Sequence, residues 1–296
     1  MARVQAVLNR GSGTLAAAPD LAERVRKALE DAGVDAEVGL FSGKDCAIRS
    51  AEAAERGDPL LIVGGGDGTI SAAASALAGT ETRLAILPLG TLNHFARDLG
   101  IPPALDDAAR LIAAGSERRV DLGEVNGRIF INNSAVGLYP LMVLDRDLQQ
   151  RRLGRSKRLA MLVASVRTLA RFNHRRLTLT INDELAERVD TPLLFVGNND
   201  YRTDIGAAGR RESLEDGSLS LFVMRKKTRA GFIAAVLRAL LDRTRDDDME
   251  RLDNVQRLRV TGRRKHVAIS LDGEVVAAEL PLDYRIRAKA LRVIAP

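Results

Sequence analysis

The stretch LLIVGGGDGTISAAASAL, residues 60–77, decides the fold of the N-terminal part of the chain. It begins with an apolar run typical of a strand buried on both faces, and the Ala- and Ser-rich Ile70–Leu77 predicts a helix. Between them, the glycines of Gly64–Thr69 let backbone N–H groups approach a ligand closely, and the helix N-terminus behind them favours an anion. Strand, loop and helix together predict a phosphate-binding turn.

Asp67 sets this loop apart from two common phosphate motifs. The loop has no lysine at P-loop spacing, and it is not a G-x-G-x-x-G turn followed by a ribose-binding acid. A carboxylate among phosphate-binding amides repels a nucleotide, so Asp67 implies either Mg²⁺ or a side chain turned away from the phosphates. The alternative interpretation is a tight turn in which Asp67 only caps the helix.

The chain on either side of the loop, from residue 1 to 121, alternates short apolar runs with amphipathic stretches, which predicts a parallel α/β sheet. Asp20 and Asp45 are the predicted helix caps, and Gly57 is the predicted end of the second helix. The predicted strands are Val4–Leu8, Val34–Phe41, Leu60–Val63 and Leu84–Leu87.

After Asp121 the pattern changes to antiparallel strands. Asn126-Gly127 is a hairpin signal, and alternating segments return at Leu177–Ile181, Leu193–Val196, Ser218–Val223, Leu258–Val260 and Val267–Leu271. Helices are predicted over Ser156–Phe172 and Ala230–Leu241. We therefore expect an α/β domain over residues 1–123 and a mainly antiparallel β domain over 124–290, with 291–296 returning to the first.

Composition narrows the function classes. Lys and Arg number 45 against 39 Asp and Glu, but residues 148–176 alone hold nine cations and no acid, so the positive charge is local. One cysteine excludes an intramolecular disulfide, and three scattered histidines argue against a His-rich metal site. No apolar run approaches 18 residues, so we expect a cytoplasmic protein that can lie peripherally at the inner face of a membrane.

The basic stretch 148–176 has two interpretations. Its apolar residues from Leu159 to Leu169 follow helical spacing beside arginines, so this helix could lie on anionic phospholipid. Alternatively, the same stripe packs on the second domain and leaves a solvated basic edge. Nucleic acid is not an expected partner, because aromatic residues make up 3% of the chain and no recognition motif occurs.

A second loop, PLGTLNHFARDLGIP at residues 88–102, follows the next strand and so lies at the same sheet edge, where open α/β sheets bind ligands. With both loops the sequence resembles the diacylglycerol kinase catalytic domain family, which includes sphingosine, ceramide and small bacterial lipid kinases. Further matching segments are Asn9 with Ser12-Gly13, Val120–Gly123, Phe130–Asn132, Glu215–Gly217 and Leu271–Glu274. NAD kinases share the glycine loop, but the second loop and the late Asp-Gly-Glu are specific to the lipid kinases.

The resemblance implies a two-domain kinase that uses ATP and Mg²⁺ to phosphorylate a hydroxyl of a membrane lipid such as diacylglycerol, with its site in the interdomain cleft. Matching positions imply Glu274 as general base, with Asp272 its neighbour and Asp67 in the catalytic set. The implied ATP-binding residues are Asn9, Ser12, Gly65, Gly66, Asp67, Gly68, Thr69, Gly90, Thr91 and Asn93. The implied metal residues are Asp121, Ser213, Asp216 and Ser218.

Two departures from the family leave alternatives open. His94 stands where the family usually has an acid, and Arg10 stands where it usually has proline. His94 either contacts a phosphate or packs at a helix start, and Glu274 could be a solvated residue beside an Asp272-Gly273 hairpin turn. The rival functions are an NAD kinase-like enzyme with a soluble substrate and a nucleotide- or lipid-binding protein without turnover. The choice of lipid and the oligomeric state stay open.

Overall fold

The computed structural model describes residues 3–12, 20–138, 174–184, 186–200, 211, 213–226, 228–240 and 248–296. The chain divides into two compact units. The first consists of Met1–Leu122, Glu212–Asp216 and Arg287–Pro296, and the second of Gly123–Arg211 and Gly217–Ile286. The helix predicted over 156–172 lies outside the described residues.

The first unit is a parallel α/β sheet in the order β2-β1-β3-β4. Its strands are β1 (Val4–Asn9), β2 (Ala36–Phe41), β3 (Leu60–Gly65) and β4 (Arg83–Pro88). Its helices are α1 (Leu21–Asp31), α2 (Gly43–Arg56), α3 (Asp67–Leu77), α4 (His94–Asp98) and α5 (Leu105–Ala114). The middles of β3 and β4 are fully buried, as expected of central parallel strands.

The cap of α2 differs from the sequence prediction. Ser42, not Asp45, is the N-cap: its backbone is extended, and its Oγ accepts the Asp45 N–H at 3.2 Å while donating to the Asp45 carboxylate at 2.7 Å. Asp45 already lies inside the first helical turn, where an acid completes a reciprocal capping pair. Gly57 ends α2 with a φ of 68°, as predicted, whereas Asp20 precedes α1 without a side-chain capping hydrogen bond.

The second unit is built from antiparallel strands. They are β5 (Ser116–Val125), β6 (Arg128–Phe130), β7 (Asn133–Gly137), β8 (Arg175–Ile181), β9 (Glu187–Thr191), β10 (Leu193–Asn198), β11 (Leu219–Met224), β12 (Met249–Val255), β13 (Arg257–Gly262), β14 (His266–Leu271), β15 (Glu274–Glu279) and β16 (Leu282–Ala295). The unit boundary falls inside β5 and β16. The helix α6 covers Arg229–Leu240.

Two sheets form this second unit. One has the order β12-β11-β10-β7-β14-β15, and the other joins β9, β8, β13 and the start of β16. Buried residues of both sheets, such as Val196 and Val260, belong to a single hydrophobic core. Asn126 and Gly127, with φ of 47° and 78°, form the predicted hairpin turn between β5 and β6.

The parallel α/β part and the antiparallel part confirm the predicted fold class. The sequence pattern does not predict β7, β9, β12 or β15. Three of these, β9, β12 and β15, are edge strands. Within the described residues, no helix has the length and apolar character needed to cross a membrane.

Candidate active site

The two glycine-containing loops meet at the carboxyl ends of neighbouring parallel strands. Gly65 at the end of β3 lies in register with Pro88 at the end of β4. A Cβ added to Gly90 would lie 2.3 Å from the Gly66 Cα, a separation that side chains do not adopt. The loops therefore touch backbone to backbone, at the shared sheet edge that the sequence predicts.

Polar side chains of the β1 loop join this contact. The Asn9 Nδ2 donates to the Thr69 Oγ1 at 2.7 Å, and the Asn9 Oδ1 accepts the Gly11 N–H at 2.9 Å. The Ser12 Oγ accepts the Gly66 N–H at 3.3 Å. The fold therefore brings together Asn9, Ser12, Gly66 and Thr69, four of the residues implied in ATP binding.

Asn93 shapes the second loop. It adopts a left-handed backbone with a φ of 48°, and its Oδ1 accepts the Gly90 N–H at 2.9 Å. Its Nδ2 donates to the carbonyls of Pro88 at 3.2 Å and Gly90 at 2.9 Å. Its amide is thus used to close the turn, while Thr91 and Leu92 at the loop tip are exposed.

Asp67 links the two loops. It is the first residue of α3, and its Oδ1 accepts the backbone N–H of Phe95 at 3.2 Å. Beside Phe95, the His94 Nδ1 lies 2.9 Å from the Arg97 guanidinium. Because a guanidinium only donates hydrogen bonds, Nδ1 is the acceptor in this contact. His94 is thus engaged with Arg97 within the short helix α4.

The residues implied in metal binding are divided between the units. Asp121 has no exposed surface, its Oδ1 accepts the Lys289 N–H at 2.7 Å, and its own N–H donates to the Leu214 carbonyl at 2.8 Å. This brings the loop of Ser213 and the exposed Asp216 beside Asp121, whereas Ser218 belongs to the second unit.

These donors are oxygens, which Mg²⁺ prefers. No group of three or more His, Cys, Asp or Glu that could hold a metal occurs in the part of the chain that the structure describes. The buried Asp121 carboxylate already accepts a backbone hydrogen bond, while Asp67 and Asp216 retain contact with solvent. A cation that also coordinates nucleotide phosphates needs few protein carboxylates, so Asp67 fits that chemistry, while Asp216 fits a separate structural site.

In the second unit, Asp272 and Gly273 form the hairpin turn between β14 and β15, with φ of 47° and 84°. The Asp272 carboxylate accepts three backbone N–H groups, from Ile131 at 2.9 Å, Asn132 at 2.8 Å and Asn133 at 3.1 Å. Asp272 also donates its N–H to the Asn133 carbonyl at 2.9 Å. It is therefore a positioning residue that fixes the hairpin to the 131–133 segment.

Glu274 follows this turn as the first residue of β15. Its side chain is exposed and forms no hydrogen bond or ion pair with any other residue that the structure describes. The turn is a hairpin, and it leaves the carboxylate of Glu274 open on a fixed backbone. An open carboxylate on a rigid turn can accept a proton.

Sequence reasoning missed two side chains that support this region. Arg211 is buried and donates to the Ile131 carbonyl and the Asn132 Oδ1, and the buried Asn198 donates to the same Ile131 carbonyl. Neither residue lies in a recognisable motif, because each acts through contacts more than 60 residues away in the chain.

Two family models match the chain. Residues 3–125 match the diacylglycerol kinase catalytic domain. Residues 144–295 match the YegS C-terminal NAD kinase beta sandwich-like domain.

Similar proteins agree with these matches. A diacylglycerol kinase of Bacillus subtilis (strain 168) is 28% identical over 300 residues, which cover 100% of this chain and 97% of the relative. "Probable lipid kinase YegS" of Escherichia fergusonii is 42% identical over 123 residues, 39% of this chain and 41% of the relative.

Two solved structures from Bacillus anthracis str. Sterne share the fold. One has a TM-score of 0.76 at 23% identity. The other, described as a diacylglycerol kinase, has a TM-score of 0.69 at 20% identity. Each comparison covers 99% of this chain and 97% of the other chain.

Proposed function

The chain belongs to the diacylglycerol kinase family of phosphotransferases, which act on an alcohol group, and from this premise we propose that it transfers the γ-phosphate of ATP to a hydroxyl of a membrane lipid such as diacylglycerol. The observation that carries the proposal is the backbone contact of the two glycine loops, with Asp67 joining them at the edge of β3 and β4.

In this proposal the first unit binds the nucleotide. The N–H groups at the start of α3 form a nest for phosphate oxygens, and Gly66 and Gly90 allow the two loops beside it to pack backbone to backbone. Magnesium bound with ATP supplies charge neutralisation, and Asp67 is the carboxylate of the glycine loop that would hold it, with Asp121 in the surrounding acidic network. Asp216 and the Ser213–Ser218 loop would hold a separate, structural magnesium.

The second unit supplies the proton acceptor. A lipid hydroxyl is a poor nucleophile at neutral pH, so a positioned base accelerates the transfer. Glu274 suits this role because its carboxylate is open, while Asp272 and three backbone N–H groups hold the turn before it. Asp272 itself acts through position, since its oxygens are occupied by those N–H groups.

The lipid substrate would be presented at a membrane surface. We propose that the basic stretch 148–176 attracts the anionic inner leaflet, where each cation near the surface contributes about 1 kcal/mol. Of this stretch, only residues 174–176 are described. The expected outcome is sedimentation with anionic vesicles at low salt, release at high salt and no sedimentation with neutral vesicles.

A phosphotransfer assay tests the function. The protein is given γ-labelled ATP with or without Mg²⁺, and diacylglycerol, ceramide, sphingosine and NAD are compared as acceptors. We expect Mg²⁺-dependent label in a lipid and none in NAD. Label in NAD alone would indicate an NAD kinase, and ATP binding without transfer to any acceptor would indicate a non-catalytic protein.

Asp67→Asn separates the site from the fold in the same assay. We expect it to abolish transfer, because the amide cannot replace the charge that holds the metal, while circular dichroism stays unchanged. Asp35→Asn is the matched control, since Asp35 is an exposed carboxylate of the same unit that forms an ion pair with the exposed Arg3. Full transfer by Asp67→Asn would contradict the assignment.

A further inference from the structure

Arginines of the second unit are commonly paired with carboxylates. Examples are Arg225 with Glu250, Arg251 with Asp253, Arg257 with Asp183, Arg259 with Asp283 and Arg285 with Glu124. Such pairs neutralise the surface of the sheets locally. A group of four arginines departs from this arrangement.

These four, Arg175, Arg176, Arg263 and Arg264, line a cavity of about 380 Å³, which we call the arginine cavity. No carboxylate of the described chain lies within ion-pairing distance of any of them. Asp190 is the carboxylate among the described lining residues, and it lies 3.5 Å from the His174 Nδ1.

A second cavity of about 590 Å³ extends the same surface. It shares Arg176, Arg263 and Asp190 with the first cavity and adds Arg188. The two cavities together present five arginines and one aspartate among their described lining residues. The concave surface therefore carries a clear excess of positive charge.

Arg175 is the most informative member. Side chains alternate along β8, so Arg175 faces the same side as the buried Leu177 and Leu179. Its guanidinium is half-buried, and this burial, with the charge of Arg264, lowers the pKa of Arg175. A partly desolvated cation beside another cation is costly unless an anion offsets it.

A nearby cavity of the same unit provides the contrast. It measures about 310 Å³ and is lined by Arg257, Arg259 and Arg285, each of which has its own carboxylate. A cavity of this unit can therefore be concave and rich in arginine while each of its guanidinium groups is paired with a carboxylate. Of these two cavities, the arginine cavity is the one whose four arginines have no carboxylate partner among the described residues.

We propose that the arginine cavity is an anion site that binds a phosphate group, carried by an anionic phospholipid headgroup or by a soluble phosphate compound. Guanidinium groups recognise phosphate through paired N–H donors, and Leu177, Val267 and Leu280 add apolar lining beside them. Its lining residues all belong to the second unit, and none is among the residues proposed for the phosphotransfer site.

Calorimetry on the whole protein tests this site, with inorganic phosphate and water-soluble dihexanoyl phosphatidic acid as probes. Arg175→Gln with Arg264→Gln is compared with Arg257→Gln with Arg259→Gln, which removes the same charge from the paired cavity. We expect the first double variant to weaken binding of dihexanoyl phosphatidic acid at least tenfold and the control to bind like the wild type. Equal weakening in both, or unchanged binding in the first, would overturn the proposal.

The two probes distinguish a soluble phosphate compound from a phospholipid headgroup as the source of the phosphate group. Parallel loss of inorganic phosphate binding supports a soluble phosphate ligand. Loss confined to dihexanoyl phosphatidic acid and to sedimentation with phosphatidylcholine vesicles containing phosphatidic acid supports a lipid headgroup. If the first double variant fails to fold, Arg176→Gln with Arg263→Gln tests the same cavity through exposed side chains. Phosphotransfer to diacylglycerol dispersed in neutral detergent is measured separately, so failure of either proposal is recognised on its own.

Discussion

The glycine-loop region of the first unit and the Asp272-Gly273-Glu274 hairpin of the second both hold proposed functional side chains in position, but they do so through different contacts. In the first, polar side chains support one another across loops, as Asn9 does with Thr69 and Asp67 with the Phe95 N–H. In the hairpin, Asp272 receives three backbone N–H groups while Glu274 stays open. In the first region the residues that support the loops are also those proposed to bind the nucleotide. In the hairpin the two roles are divided, because Asp272 supports the turn and Glu274 is the proposed base.

The sharpest test of this division is Glu274→Gln, for which we expect a larger effect than for the other Discussion variants. The amide keeps the shape of the side chain but cannot accept the proton, so kcat should fall by ~10²–10⁴ with ATP affinity nearly unchanged. Steady-state kinetics with diacylglycerol and ATP provide the measurement.

Glu279→Gln is the matched control for that variant, because Glu279 is an exposed carboxylate at the other end of β15. It should leave kcat unchanged. Loss of ATP binding in Glu274→Gln would instead make Glu274 a metal or structural residue, and the division between the two acids would fail.

Asp272→Asn tests the supporting acid of the hairpin. The amide replaces one acceptor oxygen with a donor that faces a backbone N–H, so at least one of the three hydrogen bonds is lost. We expect a loss of about 1–3 kcal/mol in the free energy of unfolding, measured by urea denaturation. Activity should fall as well, because Glu274 loses its fixed position.

An exposed acid on the same sheet gives the reference for this loss. Asp253→Asn removes an exposed carboxylate that contacts the Arg251 guanidinium and, at 3.5 Å, the Ser220 hydroxyl, so the free energy of unfolding should change by much less. If both variants lose the same stability, the three backbone hydrogen bonds of Asp272 are not what holds the hairpin.

Asn93→Ala tests the side-chain hydrogen bonds that support the second loop of the first unit. It removes the three hydrogen bonds that close the second loop and places alanine at a φ of 48°, which alanine adopts reluctantly. We expect the KM for ATP to rise several-fold with a smaller change in kcat. Asn93→Gly keeps the backbone conformation and isolates the hydrogen bonds; an unchanged KM in both variants would remove Asn93 from the support of the loop.

His94→Asp should have the smallest effect. It tests whether the charge at position 94 changes the Mg²⁺ requirement of the first unit. It introduces the acid that the family usually has at this position and removes the ring that contacts Arg97. We expect the Mg²⁺ concentration for half-maximal activity to shift by a few-fold, measured by titration of activity with Mg²⁺. His94→Asn, which keeps a polar side chain without charge, should not reproduce the shift; if it does, charge is not the cause.

The sequence by itself determined the features that depend on local backbone conformation. Consecutive glycines after a buried strand specify the loop at Gly64–Thr69, and Asn126-Gly127 specifies a turn with positive φ. The helix cap shows where local reading stops short, because Ser42 and Asp45 both suit a helix start and only the extended backbone of Ser42 identifies the cap.

The tertiary structure alone decided which polar side chains already have hydrogen-bond or ion-pair partners and which remain available to a ligand. Asp272 and Glu274 are equivalent acids in the sequence, yet Asp272 is occupied by N–H groups about 140 residues away. Arg175 on β8 and Arg264 between β13 and β14 likewise line one cavity without a carboxylate partner among the described residues, while Arg259 on β13 has one. Hydrogen-bond donors and counter-charges come from distant parts of the chain, so no local pattern can state whether a polar group is already satisfied.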